Sequence, residues 1–272
     1  WLLFALFPIM IAGLVTMNAF VGDNSFYDKQ IIWIALSLVT FLALSLIDFR
    51  FLRKSEVAFG VYAGAVLLLM LLFIFAQATN GAKSWFDFGF FSFEPADFAK
   101  LALIIVLAKY FSRRHIEIAH IRHILVSGAY ALVLIALVFL QPDFGSSMIL
   151  GAIWFGMVLV SGISKKHLFL VFLGVVTVAS LFWFFVFAPY QKDRILTFLN
   201  PLTDIHGSGY NAYQSTVAVG SGELLGKGVG YGTQSRLEFL PEYQTDFIFA
   251  AFAEEWGFVG ALLIFLLFGF VI

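Results

Sequence analysis

The sequence has no cysteine and very little charge. The absence of cysteine among its 272 residues excludes disulfides, thiolate metal sites and cysteine nucleophiles. Only 12% of the residues are charged, about half the fraction found in soluble domains. A soluble fold needs more surface charge than this, so we expect the chain to lie in a membrane. The net charge of −1 shows no basic excess of the kind that nucleic-acid binding requires, and no nucleic-acid partner is expected.

Long apolar runs are the main feature of the chain. Hydrophobic residues make up 61% of the sequence, and phenylalanine alone occurs 35 times. A helix needs about 20 apolar residues to cross the hydrocarbon core of a bilayer. We therefore predict an all-α polytopic membrane protein with eight transmembrane helices. The predicted spans are residues 1–20, 30–47, 57–77, 98–111, 124–140, 146–161, 167–188 and 246–272.

The short loops between these spans alternate in charge. Every second loop is basic, whereas the other short loops carry only Lys29 and Lys83. By the positive-inside rule the basic loops face the cytoplasm, so the N-terminus is expected inside and, after an even number of spans, the C-terminus as well. The residues of the basic loops are Arg50, Arg53, Lys54, Arg113, Arg114, Arg122, Lys165 and Lys166.

The chain is expected to be a single transmembrane domain over residues 1–272, truncated at both ends. It opens on Trp1 without a charged leader region, which argues against a cleavable signal peptide, and it ends inside an apolar run. Residues 189–245 form one long, polar, glycine-rich connection that is predicted to face outward. A connection of this length is functional or disordered, and its aromatic residues argue for order. Residues 212–219 within it are predicted to form a short interfacial or re-entrant helix.

Ionisable side chains in or beside apolar spans mark candidate functional positions, because burying them is costly. Lys100 lies one turn from Asp97 and either serves a ligand or forms a local ion pair. Asp246 opens the last span, where it either caps the helix or takes a proton from a hydroxyl. Glu254 and Glu255, about two turns further on, are expected to pair with groups on other helices.

The long connection also carries four cations that either bind phosphate or are simply solvated on the surface. An arginine can bind phosphate through two parallel hydrogen bonds, whereas a lysine acts as a point charge. The four cations are Lys192, Arg194, Lys227 and Arg236.

Motifs spread in order along nearly the whole chain carry a family resemblance. They read GAKSW at 81–85, EPADFAK at 94–100, QPDFG at 141–145, GYNAYQS at 209–215, GSGELLGKG at 220–228, GTQS at 232–235, FLPEYQTDFIFA at 239–250 and EEWG at 254–257. The sequence with these motifs closely resembles the SEDS family of bacterial cell-wall polymerases, which includes RodA, FtsW and SpoVE. The combination around 226–242 looks most like the RodA branch. Family members usually have ten spans, so eight here would leave the last two missing.

The resemblance implies a peptidoglycan glycosyltransferase that polymerises lipid II during cell elongation, with inversion at the anomeric centre. Asp246 matches the family's proposed catalytic aspartate. No metal site or certain cofactor follows from the resemblance, although a divalent cation fits a departing diphosphate. The substrate-binding residues that it implies are Lys83, Trp85, Lys100, Arg194, Gln214, Lys227, Glu242 and Thr245.

The resemblance also implies partners and a location. The expected partners are lipid II, an undecaprenyl-diphosphate-linked disaccharide peptide, a class B penicillin-binding protein with transpeptidase activity, and membrane proteins of the elongation machinery. The expected location is the bacterial cytoplasmic membrane, with the active site facing outward. The sequence departs from the usual family pattern at Gln244, where the family has histidine, and at 94–97, where it has Glu-Pro-Ala-Asp instead of Gln-Pro-Ser-Glu.

Two other functions remain open. A lipid II flippase or transporter would share the multi-span fold but place its essential charges near the membrane midplane, whereas the candidates here cluster near the outer face. A non-catalytic scaffold for a transpeptidase would not need Asp246.

Overall fold

The computed structural model describes residues 2–20, 25–75, 84–89, 91–112, 121–200, 204–205, 207, 209–237 and 239–272. The chain divides into two compact units. The split unit consists of Trp1–Ile47 and Leu181–Ile272, and the central unit of Asp48–Ser180.

Helices dominate both units. In chain order they are α1 (Leu2–Asn18), α2 (Ser25–Ser45), α3 (Ser55–Phe75), α4 (Pro95–Ser112), α5 (Ile121–Leu140), α6 (Phe144–Val160), α7 (Lys165–Leu181), α8 (Pro189–Leu199), α9 (Tyr210–Ser221), α10 (Thr233–Arg236) and α11 (Ile248–Val271). A 3₁₀ turn at Phe49–Arg53 precedes α3, and a π turn at Phe182–Val186 extends α7.

Within the described residues, five helical stretches are long and apolar enough to cross a membrane: Phe26–Ser45, Ser55–Phe75, Arg122–Leu140, Lys165–Val186 and Ile248–Val271. A helix suits this environment because it pairs its backbone polar groups internally. The chain therefore has the helices of a multi-pass membrane protein. Every predicted span overlaps one of the helices, but α1 and α6 are shorter apolar helices and α4 carries three charged residues, so the count of eight spans stays a prediction.

The core of the central unit lies where α3 packs on α4 and where α6 packs on α4 and α5. Without a hydrophobic driving force in lipid, such packing depends on close van der Waals contact and on small residues. Alanines supply that contact, and cross-helix hydrogen bonds add to it, as from the Tyr62 hydroxyl to the Tyr130 carbonyl at 2.8 Å. The buried core residues include Ala65, Ala99, Ala102, Ala131, Leu69, Leu103, Leu107, Leu134 and Leu150.

A small β-hairpin precedes α4, and nothing in the sequence pattern predicted it. Strand β1 (Phe86–Asp87) pairs antiparallel with β2 (Ser92–Phe93), with Phe86 opposite Phe93. The side chain of Phe86 packs on the core of the central unit, which attaches the hairpin to the helices.

In the split unit, α11 packs against α1 and α9. The Phe20 and Tyr243 rings meet edge to face with centroids 4.7 Å apart, and Leu240 is buried with Ala218 and Ala250. These contacts attach Ala218, Leu240 and Tyr243 of the long connection to the helices. The predicted helix at 212–219 is confirmed as α9 (Tyr210–Ser221), whereas α8 and α10 were not predicted.

Candidate functional site

The last helix, α11, is interrupted at Gly257, whose φ of 66° and ψ of −167° are not helical. An interrupted helix leaves backbone groups without their usual partners, which is tolerated at membrane depth only where protein supplies new ones. The segment that precedes α10 supplies them through four main-chain hydrogen bonds. They run from Lys227 N to Glu254 O at 3.0 Å, Gly228 N to Glu255 O at 3.0 Å, Phe258 N to Glu223 O at 2.9 Å and Val259 N to Leu224 O at 3.1 Å.

Glycines make this backbone contact possible. A Cβ atom on Gly226 would overlap the carbonyl of Glu255, and one on Gly257 would overlap the backbone nitrogen of Gly226. Both residues also have positive φ values, 80° and 66°, which L side chains rarely adopt. This junction therefore explains Gly226 of the motif at 220–228 and Gly257 of the motif at 254–257.

The side chain of Glu254 is fully buried at the same junction. A buried carboxylate needs a counter-charge and hydrogen-bond donors, and Lys227 forms an ion pair with it at 2.7 Å. The remaining donors are Thr233 N at 2.9 Å, Thr233 Oγ1 at 3.0 Å, Gln234 N at 3.1 Å and Ser221 Oγ at 3.3 Å. The expectation that Glu254 pairs is correct, but most of its donors come from the long connection rather than from another membrane-spanning helix.

Asp246 is exposed in the turn that leads into α11. The N-cap of the helix is Phe247, and no side chain caps it, so the capping alternative for Asp246 is wrong. The turn closes on Glu242, whose φ is 51° and whose carbonyl accepts hydrogen bonds from the backbone of Thr245 and Phe247, both at 3.1 Å. The carboxylate of Asp246 is therefore presented on the surface of the split unit.

Three predicted substrate-binding residues of the split unit, Glu242, Thr245 and Lys227, hydrogen-bond to other side chains. Thr245 Oγ1 donates to the Glu242 carboxylate at 3.0 Å, so these two residues share the turn of Asp246. Lys227 is engaged by Glu254 and also donates to Thr233 Oγ1 at 2.8 Å.

Two further predicted residues lie on separate helices of the split unit. Arg194 is exposed on α8, and Gln214 is half-buried on α9. Within the part of the chain that the structure describes, Arg194 has no carboxylate partner, which distinguishes it from Lys227. Its guanidinium therefore keeps its donors available.

The central unit holds the remaining predicted residues. Lys100 forms an ion pair with Asp97 at 2.7 Å, with 20% of the lysine side chain and 70% of the aspartate side chain exposed. The local ion pair is thus present. Trp85 is 46% exposed directly before β1, and Lys83 lies outside the described residues.

Glu94 is a candidate that the sequence reasoning did not single out. Its carboxylate accepts a hydrogen bond from Ser146 Oγ at 3.1 Å, which links the start of α4 to α6. Burial, reinforced by the negative charge of Asp97, raises the pKa of the Glu94 carboxyl above its ordinary value. The position of Glu94 in the motif at 94–100 was visible, but its partner lies 52 residues away and left no local signal.

Acidic residues near these positions do not form a metal site by themselves. Within the described ranges, no group of three or more His, Cys, Asp or Glu side chains is arranged to hold a metal ion. The divalent cation stays a prediction.

The comparisons with known proteins agree with the resemblance that the motifs carry. A family model for FtsW, RodA and SpoVE proteins, described as "cell cycle protein", matches residues 1–272. The peptidoglycan glycosyltransferase MrdB of Escherichia coli (strain K12) is 36% identical over 270 residues, which cover 97% of this chain and 70% of that protein. The probable peptidoglycan glycosyltransferase FtsW of Haemophilus influenzae is 33% identical over 277 residues, which cover 100% of this chain and 68% of that protein.

A solved structure gives the same answer for the fold. It comes from a peptidoglycan synthase complex, described as coordinating polymerization and crosslinking, and it matches 99% of this chain and 74% of its own chain with a TM-score of 0.78 at 28% identity. The family match spans the whole sequence, and both relatives exceed 30% identity along it. The chain therefore belongs to the SEDS family of FtsW, RodA and SpoVE proteins.

Proposed function

We propose that this chain is a peptidoglycan glycosyltransferase that polymerises lipid II into glycan strands. The observation that carries the proposal is the family match over residues 1–272, together with two relatives named as glycosyltransferases of this kind. The exposed carboxylate of Asp246, in the turn that begins the last apolar helix, supports it. A lipid-linked donor also suits a chain with several helices able to cross a membrane.

The proposed topology has eight spans in the bacterial cytoplasmic membrane, with the N-terminus inside and residues 189–245 outside. The basic loops support this orientation. The proposed active site then faces outward, on the side where glycan strands are assembled.

In the proposed reaction, Asp246 acts as the general base. Its carboxylate takes the proton from the acceptor sugar hydroxyl, and the hydroxyl oxygen bonds to the anomeric carbon of the donor sugar. The bond between that carbon and the diphosphate oxygen breaks, and the departing diphosphate keeps the electron pair. Attack opposite the leaving group inverts the anomeric centre.

The leaving diphosphate needs positive charge near it. The candidate cations can be ranked by whether a carboxylate of the chain already pairs with them. Lys227 is held by buried Glu254 and Lys100 by Asp97, so each already has a counter-charge. Arg194 is exposed and has no carboxylate partner within the described residues. We assign Arg194 as the first cation to contact the diphosphate, with Lys100 and Lys227 as further substrate-binding proposals.

The other assignments rest on motif positions. Trp85, Lys83, Gln214, Glu242 and Thr245 are proposed to contact the substrate. Thr245 and Glu242 share the turn of Asp246, which places them beside the proposed base.

The proposed partner is a class B penicillin-binding protein with transpeptidase activity. The structural neighbour is part of a complex that couples polymerization to crosslinking, which supports this choice. The motifs at 226–242 favour the RodA branch, and hence cell elongation with the other elongation membrane proteins.

The test is polymerisation by the purified protein when lipid II is the only substrate. Replacing the base in Asp246→Asn should lower the rate of glycan formation by about a hundredfold or more. The exposed Asp193 on α8 offers a matched control, and Asp193→Asn should polymerise at the wild-type rate. Gel separation of labelled glycan chains gives the rates, and thermal unfolding in detergent checks that both variants are folded.

The same assay separates the alternatives. Glycan chains of normal length and yield from Asp246→Asn would contradict the proposed base and favour a scaffold. Transfer of lipid II across vesicle membranes by the wild-type protein, without any glycan product, would favour a flippase.

A further inference from the structure

Buried Glu254 has more hydrogen bonds than neutralising one lysine requires. Its two carboxylate oxygens accept hydrogen bonds from Lys227 Nζ, from the backbone N–H and the hydroxyl of Thr233, and from the backbone N–H of Gln234. All of these donors lie between residues 227 and 234. A single carboxylate in α11 therefore fixes the conformation of this eight-residue segment.

A chain of contacts continues from this segment to the turn of Asp246. The carbonyl of Gln234 accepts a hydrogen bond from the backbone of Leu240 at 3.1 Å. The side chain of Leu240 is completely buried and packs beside Ala218 and Ala250. The turn at 240–247 thus starts from a position that depends on Gln234.

The other end of that turn is tied to α11. The backbone of Phe247 donates to the carbonyl of Glu242, and the backbone of Ala250 donates to the carbonyl of Phe247 at 3.0 Å. Asp246 is exposed between these two attachments. The positions of Leu240 on one side and of Phe247 on the other therefore set the orientation of the Asp246 side chain.

We propose that Glu254 is a positioning residue, whose buried carboxylate holds residues 227–234 and, through Gln234 and Leu240, sets the direction of Asp246. The catalytic meaning of this role rests on the proposed function. A misplaced base lowers turnover even where substrate contacts persist. Loss of the Glu254 carboxylate should therefore lower kcat and leave KM nearly unchanged.

The substitution that tests the role is Glu254→Gln, which keeps the shape but removes the negative charge and one acceptor oxygen. Backbone hydrogen exchange should become faster across residues 233–247, because the amides of Thr233 and Gln234 then meet a neutral amide oxygen instead of a carboxylate, and the Gln234 carbonyl that holds the Leu240 amide is less firmly fixed. Turnover of lipid II should fall about tenfold or more, with KM within about twofold of wild type.

The neighbouring residue offers a matched control. Glu255 is also buried, and its carboxylate accepts from Gly230 N at 2.8 Å. In Glu255→Gln, faster exchange should stay near Gly230, with wild-type exchange across 233–247 and wild-type kcat. If Glu254 only stabilised the fold, Glu254→Gln and Glu255→Gln would lose the same thermal stability. The two variants would then also have the same kcat per folded molecule.

A milder variant keeps the test decisive if Glu254→Gln does not fold. Thr233→Val removes from an exposed residue the hydroxyl that donates to Glu254 and accepts from Lys227, and it should speed exchange at 233–247 and lower kcat about threefold or more. Wild-type exchange and kcat in a folded Glu254→Gln or Thr233→Val protein would overturn the positioning role. If the wild-type protein makes no glycan, the proposed function fails, while the exchange result still tests whether Glu254 holds the turn.

Discussion

At the residue scale, the ionisable side chains divide by whether a partner already neutralises them. Lys227 and Lys100 each have a carboxylate within 2.7 Å, whereas Asp246 and Arg194 are exposed. The sequence placed Lys100 and Asp246 in apolar spans and Lys227 and Arg194 in the long connection, but it did not reveal which were paired. An exposed carboxylate and an exposed guanidinium are the groups free to meet a charged substrate.

Glu94 provides a pH prediction in the central unit. Partial burial, reinforced by the negative charge of Asp97, raises the pKa of the Glu94 carboxyl from the ordinary value of 4.5. A raised carboxyl pKa means that the folded state favours the protonated form, so stability is highest below the ordinary value and falls as the pH rises above it. Glu94→Gln should remove this dependence, so the melting temperature of wild type should fall relative to that of the variant between pH 4.5 and neutral pH.

The control for Glu94 is an exposed glutamate of the same unit. Glu56 is exposed at the start of α3, and Glu56→Gln should leave the pH dependence of the melting temperature as in wild type. A constant difference between wild type and Glu94→Gln across the pH range would contradict the account of Glu94.

At the element scale, the interruption of α11 makes Gly257 a sensitive position. A side chain there would overlap the backbone at Leu224–Gly226, and the residue would be held at the positive φ of 66° that side chains rarely adopt. Strain of this kind alone costs about 1–3 kcal/mol, so Gly257→Ala should lower the free energy of unfolding by about 2 kcal/mol or more and detach the segment before α10. Thermal or denaturant unfolding in detergent measures the change.

Gly269 is the matched control in the same helix, since nothing lies within 4 Å of a Cβ atom added there. Gly269→Ala should leave stability unchanged or raise it slightly, because alanine favours helix over glycine. Equal effects at Gly257 and Gly269 would contradict the close backbone contact.

The elements show where sequence reasoning succeeds and where it stops. The apolar helices were predictable because the bilayer thickness sets their length, and α9 was predictable as a short helix in a long connection. The hairpin β1–β2 has strands of only two residues, too short for a periodic pattern. The attachment of Glu254 to Thr233 spans 21 residues and depends on tertiary packing, which no local pattern encodes.

At the scale of the whole molecule, the family and the multi-pass helical character followed from the sequence, because motif order and apolar run length are properties of the linear chain. The direction of Asp246, the pairing of Lys227 and the link from Glu94 to Ser146 did not, because each requires residues that are distant in sequence to meet. The membrane orientation was predicted from loop charge and can be tested directly.

Residues 1–272 contain no cysteine, so the label on a single cysteine introduced among them can be assigned to that position. Asn211 is exposed on α9 in the long connection, and Ser112 is the exposed last residue of α4, beside a basic loop. Each is replaced by cysteine, in Asn211→Cys and Ser112→Cys. A membrane-impermeant maleimide added to intact cells with a permeable outer layer should label position 211, and label position 112 only after lysis. Labelling of position 112 before lysis, with position 211 protected, would reverse the proposed orientation.

The measurement that tests the central claim most directly is glycan formation by the purified, folded protein given lipid II alone. The account predicts labelled glycan chains longer than the disaccharide unit, with one undecaprenyl diphosphate released for each bond formed, and almost none from Asp246→Asn. Folded wild-type protein that binds lipid II but releases no diphosphate and forms no chains, or an Asp246→Asn variant that polymerises normally, would contradict it.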